Sequence, residues 1–246
     1  MNELALFAGA GGGILGGNLL GWRTVCAVER DAYAAQVLSQ RQNDRILRPF
    51  PIWSDVCSFD GKPWRGIVDV VSGGFPCQDI SAAGNGAGIE GARSGLWKQM
   101  ARIISEVRPA YVLLENSPLL VGRGLAMVIG DFTAMGFDAE WCCISASECG
   151  APHNRDRIWL VAYPEGQHGE PRDSMVQSEN RRASAQPGGL PGLAAPAGWR
   201  GGNPWPECQP RLCRVADDMA FGVDRLKALG NGQVPRVAAT AFSILK

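Results

Sequence analysis

Cys77 stands in Gly74-Phe75-Pro76-Cys77-Gln78, directly after an apolar, β-branched run. Open α/β sheets bind their ligands in loops that leave the strand ends, and a thiolate placed there is a nucleophile. A cysteine taken alone is more often an inert apolar side chain, so its neighbours decide the reading. Glu115 ends another apolar run, in Leu113-Leu114-Glu115-Asn116-Ser117, which brings a carboxyl toward the same crevice. Arg155 and Arg157 are two apart at the start of an extended segment, so both side chains face one way, ready for a phosphate or a carbonyl oxygen. Singly, each fits a strand-end carboxylate or a solvated arginine; the weight lies in their conjunction.

A second group of residues points to a nucleoside. Gly11, Gly13 and Gly16 satisfy G-x-G-x-x-G after the apolar run Leu4 to Phe7. Glu29 lies at the tip of the next apolar run, where a carboxylate accepts both hydroxyls of a ribose. Asp55 follows a short hydrophobic stretch and could accept from an adenine amino group. The pattern indicates a nucleoside cofactor and leaves open which one.

The elements that must position these residues follow from periodicity and punctuation. Strands are predicted over Leu4 to Phe7, Val25 to Val28, Ile67 to Ser72, Tyr111 to Glu115, Ala139 to Ser145 and Ile158 to Ala162. Helices are predicted to start after the glycine loop and over Asp31 to Gln42, with Asp31 as N-cap. Further helices are expected over Leu96 to Val107, Val121 to Met135 and Val234 to Leu245, the last after a turn at Gly230-Asn231-Gly232. Strands alternating with helices imply an α/β fold with a doubly wound, mostly parallel sheet. Gly73 to Arg93 is a long glycine-rich loop, of the kind that is functional or disordered. From about Pro164 to Pro210, Gly, Pro, Ser, Gln and Arg dominate without periodicity, which reads as an insertion or mobile segment.

The 246 residues suffice for one α/β domain. Apolar residues make up 46% and charged residues 20%, a globular composition. Lys plus Arg equals Asp plus Glu at 24 each, so net charge does not announce a polyanionic partner, although a local basic groove is compatible with it. No apolar run approaches the ~20 residues that cross a bilayer, and the N-terminus lacks a secretory pattern, so a soluble cytoplasmic protein is expected. The 8 cysteines form no CxxC pair and read as reduced thiols, and 2 histidines, His153 and His168, do not furnish an all-histidine zinc site.

Taken in order, these motifs resemble those of the cytosine-C5 DNA methyltransferase family over nearly the whole chain. Phe7-Ala8-Gly9-Ala10-Gly11-Gly12 resembles the family's S-adenosylmethionine loop, Glu29 its ribose-binding acid and Ser54-Asp55-Val56 its adenine-contacting turn. Phe75-Pro76-Cys77-Gln78 resembles the catalytic loop, Glu115-Asn116 the acid motif and Asn154-Arg155-Asp156-Arg157 the paired-arginine motif. Arg225 to Pro235 is similar to the last motif, whose helix closes the cofactor pocket, with Asn231 near the methionine part. Ser117 stands where the family usually has Val, and Asn154 where it often has Gln. The family's target-recognition domain has only the Pro/Gly-rich stretch as its counterpart, in which Arg172, Arg181, Arg182, Trp199, Arg200 and Trp205 are candidates for phosphate contacts and stacking.

The resemblance implies methyl transfer from S-adenosylmethionine to C5 of cytosine in DNA, with base flipping and a covalent Cys77 adduct at C6. It implies Cys77, Glu115, Arg155 and Arg157 as catalytic residues. Phe7, Gly9, Gly11, Glu29, Asp55, Val56, Pro76, Leu96 and Asn231 are implied to bind the cofactor, and Gln78 and Ser81 to fill the gap left by the base or to hold phosphate. The organisation expected is a catalytic and cofactor-binding domain over 1–163, a reduced target-recognition segment over 164–210 and a closing segment over 211–246. The protein is expected to bind DNA as a monomer, without a metal or a membrane. Three alternatives stay open: a transfer-RNA cytosine-C5 methyltransferase, a dinucleotide-dependent oxidoreductase suggested by the glycine loop, and a non-catalytic nucleic-acid-binding homologue.

Overall fold

The computed structural model describes residues 1–76, 95–166, 224, 228 and 230–246. The strands are β1 (Asn2–Leu6), β2 (Arg23–Val28), β3 (Ile52–Trp53), β4 (Val70–Gly73), β5 (Tyr111–Asn116), β6 (Phe137–Ser145) and β7 (Asp156–Pro164). The helices are α1 (Gly12–Leu19), α2 (Ala32–Asn43), α3 (Gly95–Val107), α4 (Leu120–Arg123), α5 (Leu125–Ala134) and α6 (Pro235–Leu245). The strands form one 7-stranded sheet in the order β3-β2-β1-β4-β5-β7-β6. Neighbours from β3 to β5 pair in parallel, while β7 is antiparallel to both β5 and β6.

Alternation along the strands explains why their sequences read as continuous apolar runs: both faces of the sheet are covered. Leu4, Leu6, Val71, Val112, Leu114, Ile158 and Leu160 share a core with Trp97, Ile103 and Phe132 of α3 and α5. The intervening Val70, Leu113, Trp159 and Val161 pack with Val237 and Phe242 of α6, and Ala5 and Ala27 pack with Ile14 of α1 and Leu38 of α2. Burying each large side chain fully contributes about 1.5–3 kcal/mol. Trp97, wholly buried, also donates its indole N–H to Asp131 Oδ2 at 2.6 Å, which fastens α3 to α5.

Polar residues also lie inside this packing. Glu3 of β1 is fully buried, accepting from Thr24 Oγ1 of β2 at 2.7 Å and from Ser72 Oγ of β4 at 2.6 Å. Burial pushes its carboxyl above the ordinary glutamate value, against the two hydroxyl donors.

Asp31 caps α2 as expected, its side chain accepting from the backbone N–H groups of Tyr33 and Ala34. Other expectations are corrected. The third long strand starts at Val70 rather than Ile67, because Ile67 is in a turn closed by its N–H to the Trp64 carbonyl and is exposed. The short β3 had no periodicity to announce it; it forms because Ala27 N–H donates to Pro51 O and Glu29 N–H to Trp53 O. The helix expected over Val121 to Met135 is two helices, divided at Gly124, whose extended backbone interrupts the helical ladder. Gly230 and Asn231 are helical rather than part of a turn, and the bend comes at Gly232. Residues 77–94 and 167–223 lie outside the described residues, and with them most of the expected Gly73 to Arg93 loop and of the 164–210 segment. Pro164 itself ends β7. Among the described residues, no helix is long and apolar enough to cross a membrane.

Candidate active site

The sheet order reverses between β1 and β4, and the loops that follow these two strands leave their carboxyl ends side by side. This is where doubly wound sheets bind ligands. The turn after β1 needs unusual backbone geometry: Phe7 has φ 52°, and Gly11, the N-cap of α1, has φ 87°. A left-handed phenylalanine costs about 1–2 kcal/mol, and its packing against the core offsets that.

Glu29 holds this turn. Its Oε2 accepts from Gly9 N–H at 2.6 Å and its Oε1 from Asp31 N–H at 2.7 Å. Each oxygen keeps capacity for another donor. Glu29 opens on a groove of about 670 Å³ lined also by Ala32, Gln36, Ile52 and Ser54. Beyond it, Asp55 Oδ1 accepts from Cys57 N–H at 2.9 Å. The side chain of Val56 is buried in the core, and its carbonyl accepts from Arg102 Nη2 of α3 at 3.0 Å. Arg102 also bonds Phe59 O and Glu106, so α3 fixes the Asp55-Val56 turn. Leu96, at the start of the same helix, is half-buried against the core.

At the end of β4, Phe75 is buried against Trp97 with ring centroids 5.4 Å apart. Its carbonyl accepts from Asn116 Nδ2 at 3.2 Å. The chain is thus anchored just before Pro76, which is exposed. Cys77, Gln78 and Ser81 lie outside the described residues, as do Arg172, Arg181, Arg182, Trp199, Arg200 and Trp205.

Glu115, Arg155 and Arg157 come together. Arg157 Nε is 2.8 Å from Glu115 Oε1, and Glu115 is 7% exposed. Burial pushes the Glu115 carboxyl above its ordinary value, while Arg157, Arg155 and a hydrogen bond from Gln233 pull the other way. Arg155 Nη2 donates to Gly232 O at 2.8 Å. Burial, followed by repulsion from Arg157, lowers the proton affinity of Arg155, and Glu115 opposes this. Both arginines line a cleft of about 1000 Å³ with Ala10, Gly12, Arg41, Asn154 and Gln233. Arg41 Nη1 on that wall is buried without a hydrogen-bond partner among the described residues.

Asn231 is exposed and is not among the residues lining the cleft, whereas Gln233, two residues on, is. Gln233 and Asn116 are functional candidates that the sequence reading passed over as sites, although each adjoins a residue or motif it singled out. Arg41 and Arg102 carried no local signal, since only the packing of helices shows where their guanidinium groups arrive.

Residues 1–188 match the family model described as C-5 cytosine-specific DNA methylase. The chain belongs to this family. It is 35% identical over 168 residues to the Type II methyltransferase M.Eco47II of Escherichia coli, an alignment covering 65% of this chain and 38% of that protein. It is 37% identical over 162 residues to the Type II methyltransferase M.PspPI of a Psychrobacter species, covering 63% and 38%. In both alignments the chain therefore spans well under half of the curated relative. The crystal structure of the S. pombe Dnmt2 methyltransferase superposes with a TM-score of 0.56 at 19% identity, over 72% of this chain and 55% of that one, and shows the shared fold. The doubly wound sheet is thus the methyltransferase fold that the motif order implied, and S-adenosylmethionine is the methyl donor of this family.

The donor set suits that cofactor. Glu29 retains acceptor capacity for ribose hydroxyls. Arg41 Nη1, without a partner among the described residues and on the cleft wall with Gly12, offers a donor to a carboxylate.

Proposed function

We propose that this chain methylates C5 of cytosine in DNA through a covalent adduct between Cys77 and C6 of a base flipped out of the helix. The observation that carries the proposal is the Glu115–Arg157 pair at 2.8 Å, with Arg157 on the cleft wall and the Glu115 carboxyl against Gly74 at the root of the loop that leads to Cys77. A family match over residues 1–188 includes all of these positions.

Cytosine C5 is a poor nucleophile until a thiolate adds at C6. In this reading Cys77 adds there, and C5 gains enamine character. Glu115 donates to N3 as negative charge develops on the ring, a task that suits a carboxyl whose burial favours the protonated form. Arg157 donates to O2 of the base, and Arg155, bonded to Gly232 O, keeps the closing segment in place. When bound, S-adenosylmethionine supplies an electrophilic methyl group to C5. A base then removes the C5 proton, and the Cys77 thiol leaves. Glu29 holds the ribose hydroxyls and Asp55 the adenine amino group, with Phe7, Gly9, Gly11, Val56, Pro76 and Leu96 around the cofactor. Residues 1–163 form the catalytic and cofactor-binding unit, 164–210 a reduced target-recognition segment and 211–246 the closing segment.

Bisulfite sequencing of DNA from cells expressing the chain tests this directly. Modified cytosines are expected with the native sequence and none with Cys77→Ala. The purified chain with S-adenosylmethionine should form a covalent complex on 5-fluorocytosine DNA that Cys77→Ala does not form. Unmodified cytosines in both cultures would remove DNA methylation from the reading.

A further inference from the structure

The Gly232–Pro235 segment makes closer contacts than a helix-closing connection requires. The backbone carbonyl of Gln233 is seated against Gly12 and its side-chain Oε1 against Gly13, so tightly that neither glycine has room for a Cβ. Its side chain is also a polar neighbour of the Glu115 carboxyl, one of the influences that lower that group's proton affinity. A Cβ on Gly74 would lie 2.6 Å from Glu115 Oε2 and 3.2 Å from Gln233 Nε2. Three glycines, two at the start of α1 and one just after β4, thus form a mould for one residue, Gly12 against its backbone and Gly13 and Gly74 against its side chain. Close backbone approach is a reason for glycine that no loop-flexibility argument supplies.

We propose that Gln233 is a positioning residue for Glu115, its clamped amide fixing the carboxyl and tying it to the seating of the closing segment on the glycine loop. The inference rests on the methylation reading only for its effect on catalysis. Among the described residues, the charged groups facing Glu115 are Arg157, at the start of β7, and Arg155, just before it. Gln233 is the neutral donor opposite them, and its donation favours the ionised carboxylate. Removing that donation leaves burial to act against the arginines alone, so Glu115 should hold its proton to higher pH. If protonated Glu115 is the active form, the alkaline limb of methyl transfer should move up with it.

The test is a carbon-13 NMR titration of glutamate-labelled full chain, with the Glu115 signal assigned by its loss in Glu115→Gln. Gln233→Met keeps the side-chain length and removes the donor. The Glu115 midpoint is expected to rise by roughly one pH unit, a tenfold change in proton affinity. Gln233→Glu, nearly identical in shape, sets a second carboxyl against the first and should raise the midpoint as well, which keeps the test sound if the methionine variant does not fold. The pH profile of kcat, measured in parallel, should shift in the same direction. An unmoved Glu115 midpoint in a folded variant overturns the positioning role. A moved midpoint in a chain whose native form transfers no methyl group to DNA supports the Gln233–Glu115 link and removes the methylation reading instead.

Discussion

Arg157 Nε meets Glu115 Oε1 at 2.8 Å across an antiparallel pair in which Glu115 lies opposite Trp159. The contact is therefore diagonal, between a side chain at the end of one strand and another two residues before its partner's opposite number. Both point to the sheet face that carries Leu113, Trp159 and α6.

In the proposed reaction the two groups act on different atoms of the base, so their losses should differ in kind. Glu115→Gln is expected to lower kcat by roughly 10²–10⁴-fold, the range for removal of a positioned acid. Arg157→Met should lower kcat/KM by roughly 10²–10³-fold and leave Glu115 protonated to higher pH. Single-turnover methyl transfer, with unfolding of each variant followed in parallel, checks both.

Gly74→Ala tests the mould from the other side. The added methyl would press on the Glu115 carboxyl and the Gln233 amide, atoms fixed by their own partners. A destabilisation of about 1–3 kcal/mol is expected from overpacking, with methyl transfer reduced by more than stability alone explains. Chemical denaturation beside activity at saturating cofactor reads the two separately.

Asp131→Ala leaves the indole N–H of a wholly buried Trp97 without its acceptor. The unmet donor should cost about 1–3 kcal/mol. Because α3 also fixes the Asp55-Val56 turn through Arg102, binding of S-adenosylmethionine measured by calorimetry should weaken in the same variant.

Glu3 predicts a pH dependence of stability. Its folded carboxyl binds a proton more tightly than an unfolded one, because burial outweighs the donation from Ser72 and Thr24. Its contribution to stability is therefore full below the ordinary glutamate pKa and is lost as pH rises through the folded value. Glu3→Gln carries no charge at any pH and should abolish that loss, up to about 1.4 kcal/mol per pH unit within the window. Denaturation midpoints of the two proteins should diverge in favour of the variant as pH increases; parallel curves would contradict the assignment.

Much of this architecture is legible in the sequence because both sheet faces are covered. Runs such as Val70-Val71 and Leu113-Leu114 have no polar alternation to hide them, and Asp31 carries its cap in its own side chain. Glu29, Glu115 and Arg157 are legible because each stands at the end or beginning of such a run. What the sequence conceals depends on distant partners. The two residues of β3 are strand only because β2 offers hydrogen bonds, and Ile67 leaves the strand because Trp64 closes a turn on it. Gln233 lies more than a hundred positions beyond Glu115, and the packing of α6 beside α1 brings them together. The same packing leaves Asn231 on the surface.

The hairpin of β6 and β7 has a bearing on tolerance to error. It pairs without interruption from Phe137 opposite Pro164 to Ser145 opposite Asp156. Side chains alternate with a period of two, so a slip of one residue in β7 would turn Arg157 to the other face and present Asp156 or Ile158 to Glu115. The long outer ladder makes that slip expensive, although most of it touches nothing in the cleft. An edge strand that supplies none of the residues lining the cleft thus helps to hold the right side chain beside Glu115.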